Sequence, residues 1–301
     1  MNKFLRWLGL AAGVLVVILL IAGVAVYAAS SRKLNRVYAI SPTLLSIPSD
    51  SAAVARGGHL AIAITKCVDC HGSDLGGHVM IPDARFALVV APNITRSPSG
   101  IGGTLTDQDM VNAVRHGIKH DGTPILLMPS SDFWRLSDAD LSAIVAWVRS
   151  RPPVDHVVPV TKAGPISRVL FALNQLPIIA AEQIDHAAKS PAAPAAGPTK
   201  EYGEYLANVG GCRSCHGPSL SGGHIPGSPP EWKPAANITP TTTRTWTEAD
   251  FTRVLREGKT PLGLTLDTLM PYRFTRFMTD DEIHAMWAYL QTVPAKQYAE
   301  R

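Results

Sequence analysis

All four cysteines of this 301-residue chain fall in two copies of one pentapeptide, Cys67-Val-Asp-Cys70-His71 and Cys212-Arg-Ser-Cys215-His216. None is left over for another task. Two thiols three positions apart on a helical turn can meet the two vinyl groups along one edge of a porphyrin. The adjacent histidine can then reach the iron from one face, and the spacing reads as covalent attachment of haem c at two places. A thioredoxin-like redox pair would need a βαβ setting. A zinc site shared by the four cysteines would need neither histidine. A disulfide inside either motif would be strained and would leave the duplication unexplained.

The motifs lie inside a longer internal repeat. Gly57-x-His59-Leu60-Ala61 corresponds to Gly203-x-Tyr205-Leu206-Ala207, and both stretches lead as helices into the cysteines. Asn93-Ile-Thr corresponds to Asn237-Ile-Thr, and Met128-Pro129 to Met270-Pro271. Thr106-x-x-Asp109 and Thr247-x-x-Asp250, followed by Gly117 and Gly258, mark a capped helix with a glycine stop in each copy. Ser137-x-x-Asp140 and Thr279-x-x-Glu282 open a closing helix whose apolar face carries Leu141, Ile144, Val145 and Trp147, or Ile283, Met286, Trp287 and Leu290. The order helix, long loop, helix, helix predicts an all-α fold. No stretch alternates with the period of two expected of a strand.

A haem iron held by His71 or His216 needs a sixth ligand or an open position. Each copy offers a methionine before a proline, Met128 and Met270, placed 57 and 54 residues after its histidine. Proline fixes the local backbone and removes a donor, which suits a loop holding a thioether at a set distance. A single methionine is ordinarily core filler; the recurrence in both copies favours ligation, whereas Met80, Met110 and Met278 have no counterpart and read as packing. His78 and His224 also recur and would give bis-His ligation, but they follow the first histidines by only 7 and 8 residues. His/Met ligation raises the reduction potential, and two filled axial positions leave no vacancy for oxygen or peroxide. The expected chemistry is one-electron transfer. The alternative is a dihaem redox enzyme, a peroxidase or a thiosulfate-oxidising cytochrome, which would want an open or unusual axial position.

Ahead of the repeats, Leu8 to Ala29 gives 22 residues without a charge, about 33 Å of helix, enough to cross a ~30 Å hydrocarbon core. A cleavable signal sequence usually has an apolar stretch of only ~7 to 15 residues, so a retained anchor is the expectation. The chain divides accordingly: 1–30 an anchor, 31–51 a tether, 52–153 a first domain, 154–199 a connecting segment ending in the Pro/Ala linker Pro191 to Pro198, and 200–301 a second domain. Ile166 to Ala181 reads as an amphipathic packing helix, too polar to span a membrane. A net charge of +4, scattered along the sequence, lacks the basic stripe of a nucleic-acid surface.

Taken together, Cys-x-x-Cys-His-Gly, Asn93-Ile-Thr, Gly100-Ile-Gly-Gly, Gly117-Ile-x-x-Asp121-Gly122, Met128-Pro129 and Leu136-Ser-Asp-x-Asp-Leu141 resemble the cytochrome c subunits of membrane-bound alcohol, gluconate and aldehyde dehydrogenases. The resemblance covers about residues 52 to 300. It implies two tandem class I cytochrome c domains, with His71 and His216 proximal and Met128 and Met270 distal. Such a subunit takes electrons from a periplasmic dehydrogenase and passes them toward quinone, an oxidase or another cytochrome, and is not itself the catalyst. Because haem c is attached outside the bacterial cytoplasm, the resemblance also implies a single-pass inner-membrane protein with its haem domains in the periplasm. Those subunits typically carry three attachment motifs, and this chain has two. Arg115 and Arg256 occupy matching positions and could pair with haem propionates or cap helix ends. Asn93 and Asn237 could order a loop near a propionate, or simply form Asx turns. Trp147 and Trp287 read as core.

Overall fold

The computed structural model describes residues 3–300. Helix α1 (Lys3–Leu34) runs through the uncharged stretch and one turn beyond it. Its most apolar window has a mean hydropathy of 2.8, and none of it is buried. The lower end is different. Arg168 donates to Ser30 Oγ and Ser31 Oγ, both at 3.1 Å, and lies over the Tyr27 ring. Lys33 donates to Asn174 at 2.9 Å and pairs with Glu182 at 3.0 Å. The helix therefore leaves its apolar stretch already docked.

The first repeat begins with α2 (Ser51–His59), capped by Asp50. One π turn, Leu60–Ile64, follows before α3 (Cys67–His71). The π turn has a cause in the sequence. Gly57 precedes Cys67 by ten residues where Gly203 precedes Cys212 by nine, and a single extra residue in a helix is absorbed by an i→i+5 turn. Thr65 closes it, donating both its N–H and its hydroxyl to Leu60 O. Strands β1 (His78–Asp83) and β2 (Ala87–Ala91) come next, then α4 (Asp107–His116), α5 (Ser130–Phe133) and α6 (Asp138–Ser150).

The connecting segment adds β3 (Lys162–Ala163) and α7 (Pro165–Ala172), completing an antiparallel sheet in the order β1-β2-β3. The fold is thus mostly helical rather than all-α. The packing helix expected over 166–181 is shorter too: Asn174 turns into the left-handed region, and Pro177 cannot continue a helix. The second repeat contains α8 (Lys200–Val209), α9 (Cys212–His216), α10 (Pro240–Thr243), α11 (Glu248–Glu257), α12 (Tyr272–Thr275) and α13 (Asp280–Leu290). Among the described residues, one isolated bridge, Gly223 to Ala235, stands where the first repeat has its hairpin. Pro226, Pro229, Pro230 and Pro234 occupy that stretch, and proline cannot donate to a ladder.

In each repeat the first helix crosses the last at backbone contact. A Cβ on Gly57 would sit 1.9 Å from Ala143 O, and one on Gly203 would sit 1.9 Å from Ala285 O. This crossing builds one continuous apolar core through both repeats, from Leu60, Leu136 and Ile144 to Leu206, Ile283 and Leu290. The tether and the linker are tied in. Leu45 and Ile47 of the tether and Ala193 of the linker pack on that core. Tyr38 and Ile40 join a second cluster around Ile118, Phe171, Leu176 and Ile179.

Candidate cofactor sites

Each pentapeptide forms a single helical turn entered through a left-handed residue, Lys66 at φ 55° and Gly211 at φ 73°. The turn sets both cysteines on one side, and all four thiols are unpaired and partly exposed. Burial pushes their pKa values up, to about 11 for Cys70 and Cys212, so they are neutral thiols.

The histidines are fixed alike. His71 Nδ1 lies 2.9 Å from Pro92 O, and His216 Nδ1 2.7 Å from Ala236 O. A carbonyl only accepts, so Nδ1 carries the proton and Nε2 keeps its lone pair. Burial, opposed by those carbonyls, lowers both pKa values and keeps the rings neutral. Each ring is thereby prepared as a nitrogen ligand.

The asparagines support this from behind. Asn93 Oδ1 accepts from Thr95 N–H at 3.0 Å and Thr95 hydroxyl at 2.7 Å, while Nδ2 donates to Val154 O and His156 O. Asn237 repeats the turn with Thr239 and donates to Lys296 O at 2.8 Å. Both side chains spend their donors and acceptors within the protein. Their work is to order the loop whose preceding carbonyl, Pro92 or Ala236, holds the histidine.

The arginines also find protein partners. Arg115 donates to Leu136 O at 2.9 Å and pairs with Asp138 at 2.8 Å. Arg256 donates to Arg276 O at 2.7 Å and to Asp280 at 2.6 Å. Each ties the preceding helix to the first turn of the closing helix, and Arg115 Nε is buried without a hydrogen-bond partner.

Met128 and Met270 both lie partly buried against the shared core, as do Cys67 and Cys212. Their surroundings match. Pro129 and Pro271 have nearly identical backbone angles (φ −81°, ψ 50° and φ −79°, ψ 47°). Each methionine carbonyl accepts from the residue two positions on, at 2.8 Å. Met110 and Met278 are core residues, Trp147 is buried with them, and Trp287 packs on Phe251. His78 stands exposed at the start of β1.

Two groups beside these sites were missed from sequence. The acceptor carbonyls of Pro92 and Ala236 could have been found, since each precedes the repeated Asn-Ile-Thr. Lys66 could not, because its counterpart is Gly211. Its Nζ donates to Ile64 O at 2.6 Å and to Gly210 O in the other repeat at 2.7 Å.

The donor set in each repeat fits a covalently held haem c: two unpaired thiols on one turn, an imidazole with only Nε2 free, and a thioether on a proline-fixed loop. Comparisons with known proteins agree. Residues 52–148 match the family described as "Cytochrome C oxidase, cbb3-type, subunit III", and residues 201–294 that described as "Cytochrome c". The chain is 27% identical to the cytochrome c subunit of alcohol dehydrogenase (quinone) from Gluconobacter oxydans, over 82% of this chain and 56% of that protein. It is 28% identical to the fructose dehydrogenase cytochrome subunit of Gluconobacter japonicus, over 81% of this chain and 53% of that one. A diheme cytochrome c-type protein of Cereibacter sphaeroides is 29% identical over 76% of this chain and 82% of its own length. The chain spans little more than half of each dehydrogenase subunit.

Proposed function

We propose that this chain, which carries cytochrome c domains, is a membrane-anchored periplasmic dihaem carrier. It would take single electrons from a dehydrogenase and hand them to a quinone, an oxidase or another cytochrome in the respiratory chain. The dehydrogenase is suggested by the relatives named as cytochrome subunits of such enzymes. Haem c supplies reversible one-electron exchange at iron, at a potential raised by a thioether ligand.

The residues do the rest. Cys67 with Cys70, and Cys212 with Cys215, would hold the two groups covalently. His71 and His216 would present Nε2, with the tautomer fixed by Pro92 O and Ala236 O. Met128 and Met270 would each supply a thioether ligand and exclude substrate-like ligands. The helix α1 would anchor the chain, and its docked lower end would hold the repeats close to the membrane surface. The observation that carries this reading is the duplicated donor set: each histidine is tied at Nδ1 in the same way, and each repeat carries the same methionine-proline loop.

The test is optical. The purified protein should carry two covalent haems per chain, both low-spin, with the far-red band of thioether-to-ferric-iron charge transfer. Replacing Met128 or Met270 by leucine should lower one potential at a time and weaken that band by about half. A five-coordinate high-spin centre, or ready carbon monoxide binding to either ferrous haem at neutral pH, would refute the carrier reading.

A further inference from the structure

The two repeats meet through a pseudo-twofold seam that brings their cysteine motifs together. His59 Nε2 lies 2.8 Å from Glu282, and Tyr205 donates to Asp140 at 2.6 Å. His59 and Tyr205 are equivalent positions, as are Asp140 and Glu282, so one contact is made twice with different chemistry. A second matched pair lies closer to the cofactor sites. Asp69 and Ser214 are the third residues of the two pentapeptides. Asp69 is bound by Arg273 of the second repeat, and Ser214 donates to Asp132 of the first at 2.6 Å. Each attachment turn thus touches the short helix that follows the other repeat's Met-Pro pair.

Lys66 lies within this seam. It immediately precedes Cys67, and its ammonium is held by Gly210 O, two residues before Cys212. Burial lowers its pKa from the usual lysine value and Asp132 opposes that shift, while the two carbonyls that accept from Nζ suit the charged form. No carboxylate lies within ion-pair distance of it among the described residues. A cation that close and partly buried is screened less than one on the open surface.

We propose that Lys66 is a shared positioning residue: its ammonium, pinned between carbonyls of the two repeats, favours the reduced state of both redox centres at once. This rests on the dihaem reading above. A cation stabilises the centre that carries the additional electron, so one side chain biases two sites. Asp132, held by Ser214 beside Gly211, opposes it on the second-repeat side.

The experiment is a spectroelectrochemical titration of the full-length, detergent-solubilised protein, with the potentials assigned through Met128→Leu and Met270→Leu. Lys66→Met should lower both potentials, and Lys66→Arg should restore both. Asp132→Asn should raise the second-repeat potential more than the first. A Lys66→Met shift confined to the first repeat, or absent from both, overturns the proposal. If Lys66→Met does not accumulate, Asp132→Asn decides, and no shift in the second-repeat centre overturns it. Failure of the dihaem reading would look different: the unaltered protein would lack two haems or their low-spin spectra.

Discussion

The loop leading to the methionine has the same skeleton in both repeats but opposite surroundings. In the first repeat Ile125 N–H donates to Gly117 O at 2.8 Å, and in the second Leu266 N–H donates to Gly258 O at 2.7 Å. Lys259 bridges Thr265 as Ile118 bridges Pro124. The first loop is then roofed by the chain's own flanks: Tyr38 N–H donates to Gly122 O, Leu127 N–H to Ile178 O, and Leu126 bridges Ile179. Among the described residues, the second loop has no such roof. Leu262 and Leu264 are 86% and 64% exposed, and a Cβ on Gly263 would meet nothing within 4 Å. The loop's shape is therefore intrinsic to its own hydrogen bonds and glycine stop, while its cover comes from the tether and connecting segment, which roof only the first repeat.

The comparison can be broken most forcefully where the repeats should behave alike. Gly57→Ala and Gly203→Ala each force a methyl into a helix carbonyl, and overpacking of this kind costs about 3 kcal/mol. Both should lower the denaturation midpoint by similar amounts; tolerance of either would mean that the two crossings differ. Removal of the roof comes next. Phe171 is 1% exposed in the cluster under it, and Phe171→Ala should cost about 3–5 kcal/mol. Leu264→Ala, at the bare loop, should stay within about 0.5 kcal/mol.

Acidity should separate the repeats as well. Gly117 follows His116, whereas Gly258 follows Glu257. Burial, with His186 and Arg115 nearby, lowers the pKa of His116 to about 4. Its Nδ1 lies 3.1 Å from His186 Nδ1, and His186 packs edge-on against Tyr38, over which Arg36 lies. An unfolded imidazole takes its proton near pH 6.5, so between pH 6.5 and about 4 the unfolded chain binds more protons. Stability therefore rises with pH across that window and is lost as pH falls through it. Urea midpoints measured from about pH 4 to about pH 7 should show this slope, and His116→Gln should flatten it. The smallest expected effect is that of Leu262→Ser, which should leave the midpoint unchanged.

Much of this was legible in the sequence because it is local and repeated. The pentapeptides, the Asn-Ile-Thr turns and the Met-Pro loops each recur, and Thr106, Thr247 and Thr279 form full capping boxes. The hairpin was hidden because β2 is buried on both faces at four of its five residues, which removes the alternation that marks a half-buried strand. Its partner β1 contains Pro82, tolerated because that strand lies at the sheet edge. The seam was hidden for another reason. Its contacts join residues up to 223 apart in sequence, and the matched positions use unlike groups, a histidine against a tyrosine and an aspartate against a serine. The arginines recur at matching positions, yet the helix that each one ties, through Asp138 or Asp280, is named only by the structure.

The π turn at Leu60–Ile64 has a consequence for how such a duplicated chain can change. One added residue in a regular helix would rotate everything after it by about 100° and carry the cysteines off their face. Confined to a single widened turn, the insertion leaves α2 on its crossing and α3 on its own register. Between those fixed ends the first copy holds one residue more than the second, so two matching modules can differ by a codon while each keeps its cysteine turn in place.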